Sequence, residues 1–174
     1  MRIILDLVAF HIQKKGGGTM YFSEIMKALK KISDFEVIND YQSNNIYRQN
    51  LKGKKLNRLK YIALRYLHQD IRRSSKYIFH SSYFTVSKNK KAINVVTVHD
   101  CMYELYYPFF KKLLHVVQKK RALDQCSGIV CVSENTKRDL LQLYPQYKEK
   151  KICVVHHGLS DEFFNIPKKR QRIL

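Results

Sequence analysis

The stretch INVVTVHD, residues 93–100, decides the fold class of this chain. It is a short run of mostly β-branched apolar residues that ends in two side chains able to do chemistry. A run of this length between polar residues predicts a strand that is buried on both faces, as in a parallel sheet. Ligands of open α/β sheets bind at the carboxyl ends of such strands, which is where His99 and Asp100 fall.

The rest of the chain alternates between short apolar runs and amphipathic segments. We predict strands at residues 2–10, 35–38, 77–80, 93–98, 128–132 and 152–155, and helices at 21–32, 51–73, 109–124 and 133–144, with a loop over 40–50. This alternation predicts a Rossmann-like α/β domain of three layers with a mainly parallel sheet. We assign residues 1–164 to this domain and 165–174 to a linker.

Composition narrows the class of protein. The chain has 174 residues, 45% of them apolar, which fits one globular domain. We expect no spanning helix and no signal peptide. The four cysteines lack CxxC spacing, so we interpret them as reduced thiols of a cytoplasmic protein.

Charge is the unusual bulk property. The chain has 33 Lys and Arg residues against 14 acids, a formal net charge of +19. Such an excess predicts an anionic partner, whether nucleic acid, lipid headgroups or a phosphorylated substrate. Charge alone does not choose among them.

A triple glycine, Gly16, Gly17 and Gly18, lies between the first predicted strand and the first predicted helix. Exposed N–H groups and a helix N-terminus at this place favour an anion, so phosphate binding is one interpretation. A flexible loop without a ligand is the other. The spacing is neither the dinucleotide fingerprint nor a P-loop.

Two further segments follow predicted strands. His99 can donate or accept a proton, with the Asp100 carboxylate beside it; ordinary strand-end hydrogen bonds and a loop cap are the alternative. Ser133 is a good helix N-cap and could also face the cleft with Thr136. His156 and His157 are adjacent on a strand end and cannot easily bind one metal ion, so we predict no metal site.

Basic residues concentrate before and within the predicted helix 51–73. There are nine between residues 48 and 73 against one acid: Arg48, Lys52, Lys54, Lys55, Arg58, Lys60, Arg65, Arg72 and Arg73. We select Lys54, Lys55, Arg58 and Arg65 as the candidate surface for an anionic membrane. The alternative is a solvated helix whose apolar stripe packs on the sheet. A second basic set, at residues 111–121, lies among apolar residues.

With the order of these pieces fixed, the chain resembles the N-terminal domain of family 4 glycosyltransferases of the GT-B fold. The resemblance rests on five motifs in order: Gly16 to Tyr21, FHSS at 79–82, VTVHD at 96–100, VCVSENTK at 130–137, and KICVVHHGL at 151–159 followed by Phe163.

That resemblance implies two Rossmann-like domains that face a cleft. It also implies retaining transfer of a sugar from a nucleotide-sugar donor to a glycan or lipid-linked acceptor, without a bound metal or other cofactor, as in polysaccharide synthesis. Carried over, Gly16 to Gly18 would approach the donor diphosphate and His99 would contact the donor sugar. Asp100, Ser133 and Thr136 would line the cleft.

In the family, the groups that hold the diphosphate, sugar and nucleotide belong to a C-terminal domain. We therefore expect either a truncation or a separate partner chain that supplies this donor-binding domain, and no turnover by this chain alone. The positive charge suits an anionic membrane, so we expect a cytoplasmic protein that is peripheral on the inner face of the membrane.

Two other function classes remain open at this point. One is a basic nucleic-acid-binding module, which lacks support from any recognised motif. The other is a non-catalytic relative that binds a sugar or stabilises a partner enzyme.

Overall fold

A computed structural model describes residues 1–50 and 54–158, which form a six-stranded sheet covered by helices. The strands are β1 (Arg2–Asp6), β2 (Phe35–Ile38), β3 (Ser43–Asn45), β4 (Arg48–Asn50), β5 (Tyr77–Ser81), β6 (Ala92–Val98), β7 (Gly128–Cys131) and β8 (Lys151–Val154). The helices are α1 (Val8–Ile12), α2 (Gly17–Ile32), α3 (Arg58–Tyr66), α4 (Met102–Tyr106), α5 (Phe109–Gln125) and α6 (Glu134–Leu143), with a 3₁₀ turn at Pro145–Tyr147.

The strand order of the large sheet is β2-β1-β5-β6-β7-β8, and every neighbouring pair is parallel. The chain leaves β1 towards β2 and then returns to the other side of β1 to form β5. This reversal between β1 and β5 is a topological switch point, where loops diverge and leave a crevice at the carboxyl edge. The predicted Rossmann-like α/β fold is confirmed.

The core lies on both faces of the sheet. Ile4 and Leu5 are adjacent in β1 and both fully buried, so they point to opposite faces. Leu5 packs with Phe22 of α2, whereas Val96 and Val98 of β6 pack with Leu123 and other residues on the far side. Burial on both faces explains why the strands are continuous apolar runs.

Several observed elements differ from the predicted ones. The strand predicted over 2–10 ends at Asp6, because the Asp6 carboxylate accepts hydrogen bonds from the N–H groups of Val8 and Ser82 and the chain turns into α1. The predicted loop over 40–50 contains the antiparallel hairpin β3–β4. α4 was not predicted at all.

Of the helix predicted over 51–73, residues 51–53 lie outside the described residues, and in the described remainder only α3, Arg58–Tyr66, is helical. Asn57 caps its start by accepting a hydrogen bond from the Lys60 N–H at 2.8 Å. Beyond it, Gln69 exchanges backbone hydrogen bonds with Val86 and Lys88, which keeps the chain extended. Of the two apolar residues that continued the predicted spacing past α3, Ile71 packs against Ile4, Tyr77 and Phe79 without being helical, whereas Leu67 is exposed.

The remaining predicted elements are confirmed to within a few residues, including the Ser133 cap of α6, which accepts the Thr136 N–H at 3.0 Å. The predicted boundary at 164 and the linker 165–174 lie outside the described residues. In the described part of the chain, no helix is long and apolar enough to cross a membrane.

Candidate functional site

A cleft of about 450 Å³ opens at the carboxyl edge of the sheet, beside the β1/β5 switch point. The ends of β5 and β6, the first turn of α2, and parts of α1, α3, α4 and α5 surround it. The lining residues are Ala9, Ile12, Gln13, Gly17, Gly18, Arg65, Ser82, Tyr83, Phe84, Thr97, His99, Asp100, Tyr103, His115 and His157. The cleft therefore lies where parallel α/β sheets bind ligands.

The three glycines form the start of a helix. Gly16 is the N-cap of α2, and Gly17 and Gly18 make its first turn, which lines the cleft. The Thr19 hydroxyl donates to the Gly16 carbonyl at 3.0 Å and fixes the turn. The first N–H groups of any α-helix have no intrahelical acceptor, so this 16-residue helix presents a positively polarised end to the cleft.

Gly18 and His99 approach each other across the cleft. A Cβ atom placed on Gly18 would lie 3.6 Å from Nε2 of His99, which is van der Waals contact. A Cβ on Gly17 would meet nothing within 4 Å. Because Gly18 has no side chain, the N-terminus of α2 and the His99 imidazole lie close together.

His99 directly follows β6, and aromatic rings hold its imidazole. The Tyr21 ring meets it edge-on at 5.3 Å between centroids, and the His157 ring lies at 5.7 Å. Burial, reinforced by nearby His157 and opposed by Asp100, lowers the pKa of His99 from 6.5 to about 4. The imidazole is therefore neutral near pH 7 and can donate or accept a hydrogen bond without carrying charge.

Hydrogen bonds to Asp100 fix the turn that follows His99. Asp100 Oδ1 accepts the Met102 N–H at 3.1 Å, and the Asp100 carbonyl accepts a hydrogen bond from Lys119 Nζ at 2.8 Å. Lys119 is fully buried and pairs with Glu104 Oε1, also at 2.8 Å. Both Asp100 and His99 line the cleft, so this buried ion pair supports the floor of the site.

Ser133 and Thr136 lie behind His99 and outside the cleft lining. Thr136 is buried, and its hydroxyl donates to the His99 carbonyl at 3.3 Å. Ser133 caps α6 and bonds to Thr136. The structure thus places both residues where they orient the end of β6.

The four basic residues selected for a surface separate into different environments. Lys54 and Lys55 are exposed. The side chain of Arg58 lies outside the described part of the structure. Arg65 lines the cleft, where its guanidinium donates to the Tyr61 hydroxyl at 2.9 Å and to the Tyr83 hydroxyl at 3.3 Å.

Sequence reasoning did not select the cleft residues Tyr103, His115 and His157. It also missed Tyr21, which does not line the cleft but packs its ring on His99. Tyr103 stacks on His115 at 4.0 Å, and burial lowers the pKa of His115 to about 4. His157 lies three residues after the end of β8, and this nearness to a strand end was the available signal. Tyr21 and Tyr103 lie in helices and gave no comparable signal.

Among the described residues, no group of three or more His, Cys, Asp or Glu side chains is placed to hold a metal ion.

A parallel α/β domain with a helix N-terminus and a neutral histidine facing each other at its switch point has the architecture of one half of a GT-B glycosyltransferase. The family model for glycosyltransferase family 4 matches residues 16–163. The chain therefore belongs to glycosyltransferase family 4, whose members use a sugar donor and an acceptor. A search of curated proteins found no match.

Proposed function

We propose that this domain takes part in retaining transfer of a hexosyl group from a nucleotide-sugar donor to a glycan or lipid-linked acceptor in cell-surface polysaccharide synthesis, without a bound metal. The observation that supports this most directly is the approach of the α2 N-terminus to His99. Helical N–H groups without intrahelical acceptors and an uncharged imidazole lie in the same part of the cleft, where a sugar phosphate could meet both.

At the donor end, the N–H groups of the first turn of α2 would donate hydrogen bonds to the diphosphate oxygens. Gly17 and Gly18 add no side chain there, so a phosphate can approach the backbone closely. His99 would bond a hydroxyl of the donor sugar. A neutral imidazole suits this role, because it bonds a hydroxyl without attracting the phosphate away from the helix.

At the acceptor end, the cleft continues past Asp100 to Arg65, Tyr83 and Tyr103. Aromatic rings pack against the apolar faces of sugars, and a guanidinium bonds hydroxyl or phosphate oxygens. The two Tyr hydroxyls that bond Arg65 hold its guanidinium beside the cleft. This end therefore suits a glycan or the phosphate of a lipid-linked sugar.

We also propose that turnover requires a donor-binding domain that faces this cleft. In the family, the basic residues that hold the diphosphate belong to such a domain. Calorimetry with nucleotide sugars and with acceptor glycans, together with an assay of released nucleoside diphosphate, tests this with and without an added family 4 donor-binding domain. We expect weak binding by the 174-residue chain and nucleoside diphosphate release only from the mixture. Glycan binding with no nucleotide-sugar response in either sample would instead favour a non-catalytic sugar-binding relative.

A further inference from the structure

Over its first three turns, helix α5 buries polar side chains and exposes apolar ones. Its side facing the protein buries Gln118 and Lys119, which are 7% and 0% exposed. Its outward side presents Leu113, Leu114 and Val117, which are 45%, 57% and 53% exposed. A surface helix of a globular protein normally shows the opposite arrangement.

The outward residues form one continuous apolar face with α4. Along α5 they recur at the i, i+3, i+4 and i+7 spacing of a single helical stripe that begins with Phe110. The exposed large residues of this α4–α5 face are Met102, Leu105, Tyr106, Tyr107, Phe110, Leu113, Leu114 and Val117. Single exposed apolar residues are ordinary, but a contiguous set marks an interaction surface.

Charge around the α4–α5 face selects the kind of partner. Residues 101–121 contain one acid, Glu104, whose carboxylate is buried against Lys119. The apolar stripe leads into exposed Lys120 and Arg121, one turn beyond Val117. An apolar face bordered by cations complements an anionic lipid surface. A second copy of this chain, with a net charge of +19, would bring like charges together.

The α4–α5 face is continuous with the cleft. Tyr103 lines the cleft and stacks on Tyr107 at 4.5 Å, and Tyr107 is one of the exposed residues of the face. A molecule anchored in a bilayer beneath the face would therefore reach the acceptor end of the cleft along these two rings.

We propose that the α4–α5 face docks this protein on an anionic membrane, with the apolar stripe of α5 entering the headgroup region beside the cleft. The docking extends the proposed function, because it would present a lipid-linked acceptor to the site. It also shifts the membrane contact from the basic residues before and within α3 to a different element.

The chain contains no tryptophan, so one introduced residue reports on its own surroundings. We would place it at Phe110→Trp in the stripe, and at Ile32→Trp as the control. Ile32 ends α2 and is 79% exposed, so it matches the exposure without belonging to the face. Vesicles of phosphatidylcholine alone and with phosphatidylglycerol give the uncharged and anionic surfaces.

With anionic vesicles we expect a blue shift and quenching by brominated lipid at position 110 and no change at 32. Leu113→Ser/Leu114→Ser should lower the vesicle partition coefficient about tenfold or more, since two apolar side chains no longer enter the bilayer. Ile32→Ser should leave it unchanged. Circular dichroism checks that the variants stay folded.

Three results would overturn the proposal. The first is no binding to anionic vesicles, and the second is binding without a response at 110 or a loss in the double variant. The third is a blue shift at 110 that grows with protein concentration in the absence of lipid, which would assign the face to a second copy. None of these measurements needs a nucleotide sugar, so their failure is separable from failure of the sugar-transfer proposal.

Discussion

Gly18 and His99 face each other so closely that the first side-chain atom added to Gly18 would touch the imidazole, 3.6 Å from Nε2. The glycine starts a helix and the histidine ends a strand of the parallel sheet. The N-terminal end of α2 and the carboxyl end of β6 therefore lie together beside the switch point, and each can offer hydrogen bonds to a ligand.

A size series at Gly18 tests the approach. Gly18→Ala should be tolerated, because its methyl makes an ordinary contact with His99, whereas Gly18→Val should displace the imidazole and weaken nucleotide-sugar binding about tenfold or more. Gly17→Ala, whose methyl meets no protein atom, is the control for stability and should add about 0.5–1 kcal/mol; it is not a control for binding, because Gly17 belongs to the proposed phosphate site. Calorimetry and urea unfolding provide the readouts. Equal nucleotide-sugar binding by the Gly18→Ala and Gly18→Val variants would contradict the close approach of Gly18 to His99.

The protonation state of His99 gives a second prediction. Because its pKa is lowered to about 4, the imidazole stays neutral from about pH 5 to about pH 8. Its contribution to sugar binding should then be flat over that range, and His99→Ala should lose it at every pH. Titrations of both proteins across the range measure this. A contribution that disappears as pH rises through 6.5 would mean that the imidazolium is the binding form.

Stability should fall as pH is lowered from 6.5 to 4. Burial lowers the pKa of His80, His99 and His115 to about 4 in the folded protein, so the unfolded chain binds more protons throughout this window. Stability is therefore full above the unfolded value and is lost as pH falls towards the folded one. Urea unfolding at several pH values measures the slope.

The control for this slope is a comparison of two variants. His80→Gln should reduce the slope while keeping a hydrogen bond to Thr97, whose hydroxyl lies 2.8 Å from His80 Nε2. His156→Gln, at an exposed residue, should leave the slope as it is. An identical slope for wild type and His80→Gln would show that this imidazole does not contribute.

Removal of only one partner of the Lys119–Glu104 ion pair should lower the free energy of unfolding strongly. Lys119→Met leaves the Glu104 carboxylate buried without its cation, and we expect a loss of about 3–5 kcal/mol in unfolding free energy. Lys119→Met/Glu104→Leu removes both charges and should recover much of it. The exposed Lys120–Asp124 pair is the control, since Lys120→Met should cost less than about 1 kcal/mol.

Much of the fold followed from apolar periodicity, because strands buried on both faces leave a clear pattern in the sequence. The strand over 93–98 is an example. The cap at Ser133 was predicted instead from the preference of serine for the start of a helix. Ends set by tertiary hydrogen bonds were predicted less well. β1 ends where Asp6 meets Ser82, a residue 76 positions away, and α3 ends where Gln69 joins Val86.

Sequence reasoning identified those site residues that directly follow a predicted strand. His99 and Asp100 were found because they follow a strand, and His157 follows another but was interpreted as a turn. Arg65 was assigned to a membrane surface, yet the two tyrosines that bond it hold it at the cleft. The α4–α5 face was visible only as apolar residues among basic ones, since sequence does not reveal which side of a helix is covered.

The central claim is that the α2 N-terminus and His99 together bind a nucleotide sugar. Titration of the ¹⁵N-labelled chain with nucleotide sugars, followed by amide and imidazole NMR signals, tests it most directly. We predict that the amides of Gly17 and Gly18 and the His99 ring nitrogens shift together with one saturation curve, while exposed Ile32 amide signals stay in place. Binding that leaves these three residues unmoved, or that shifts the glycines without His99, would contradict the account.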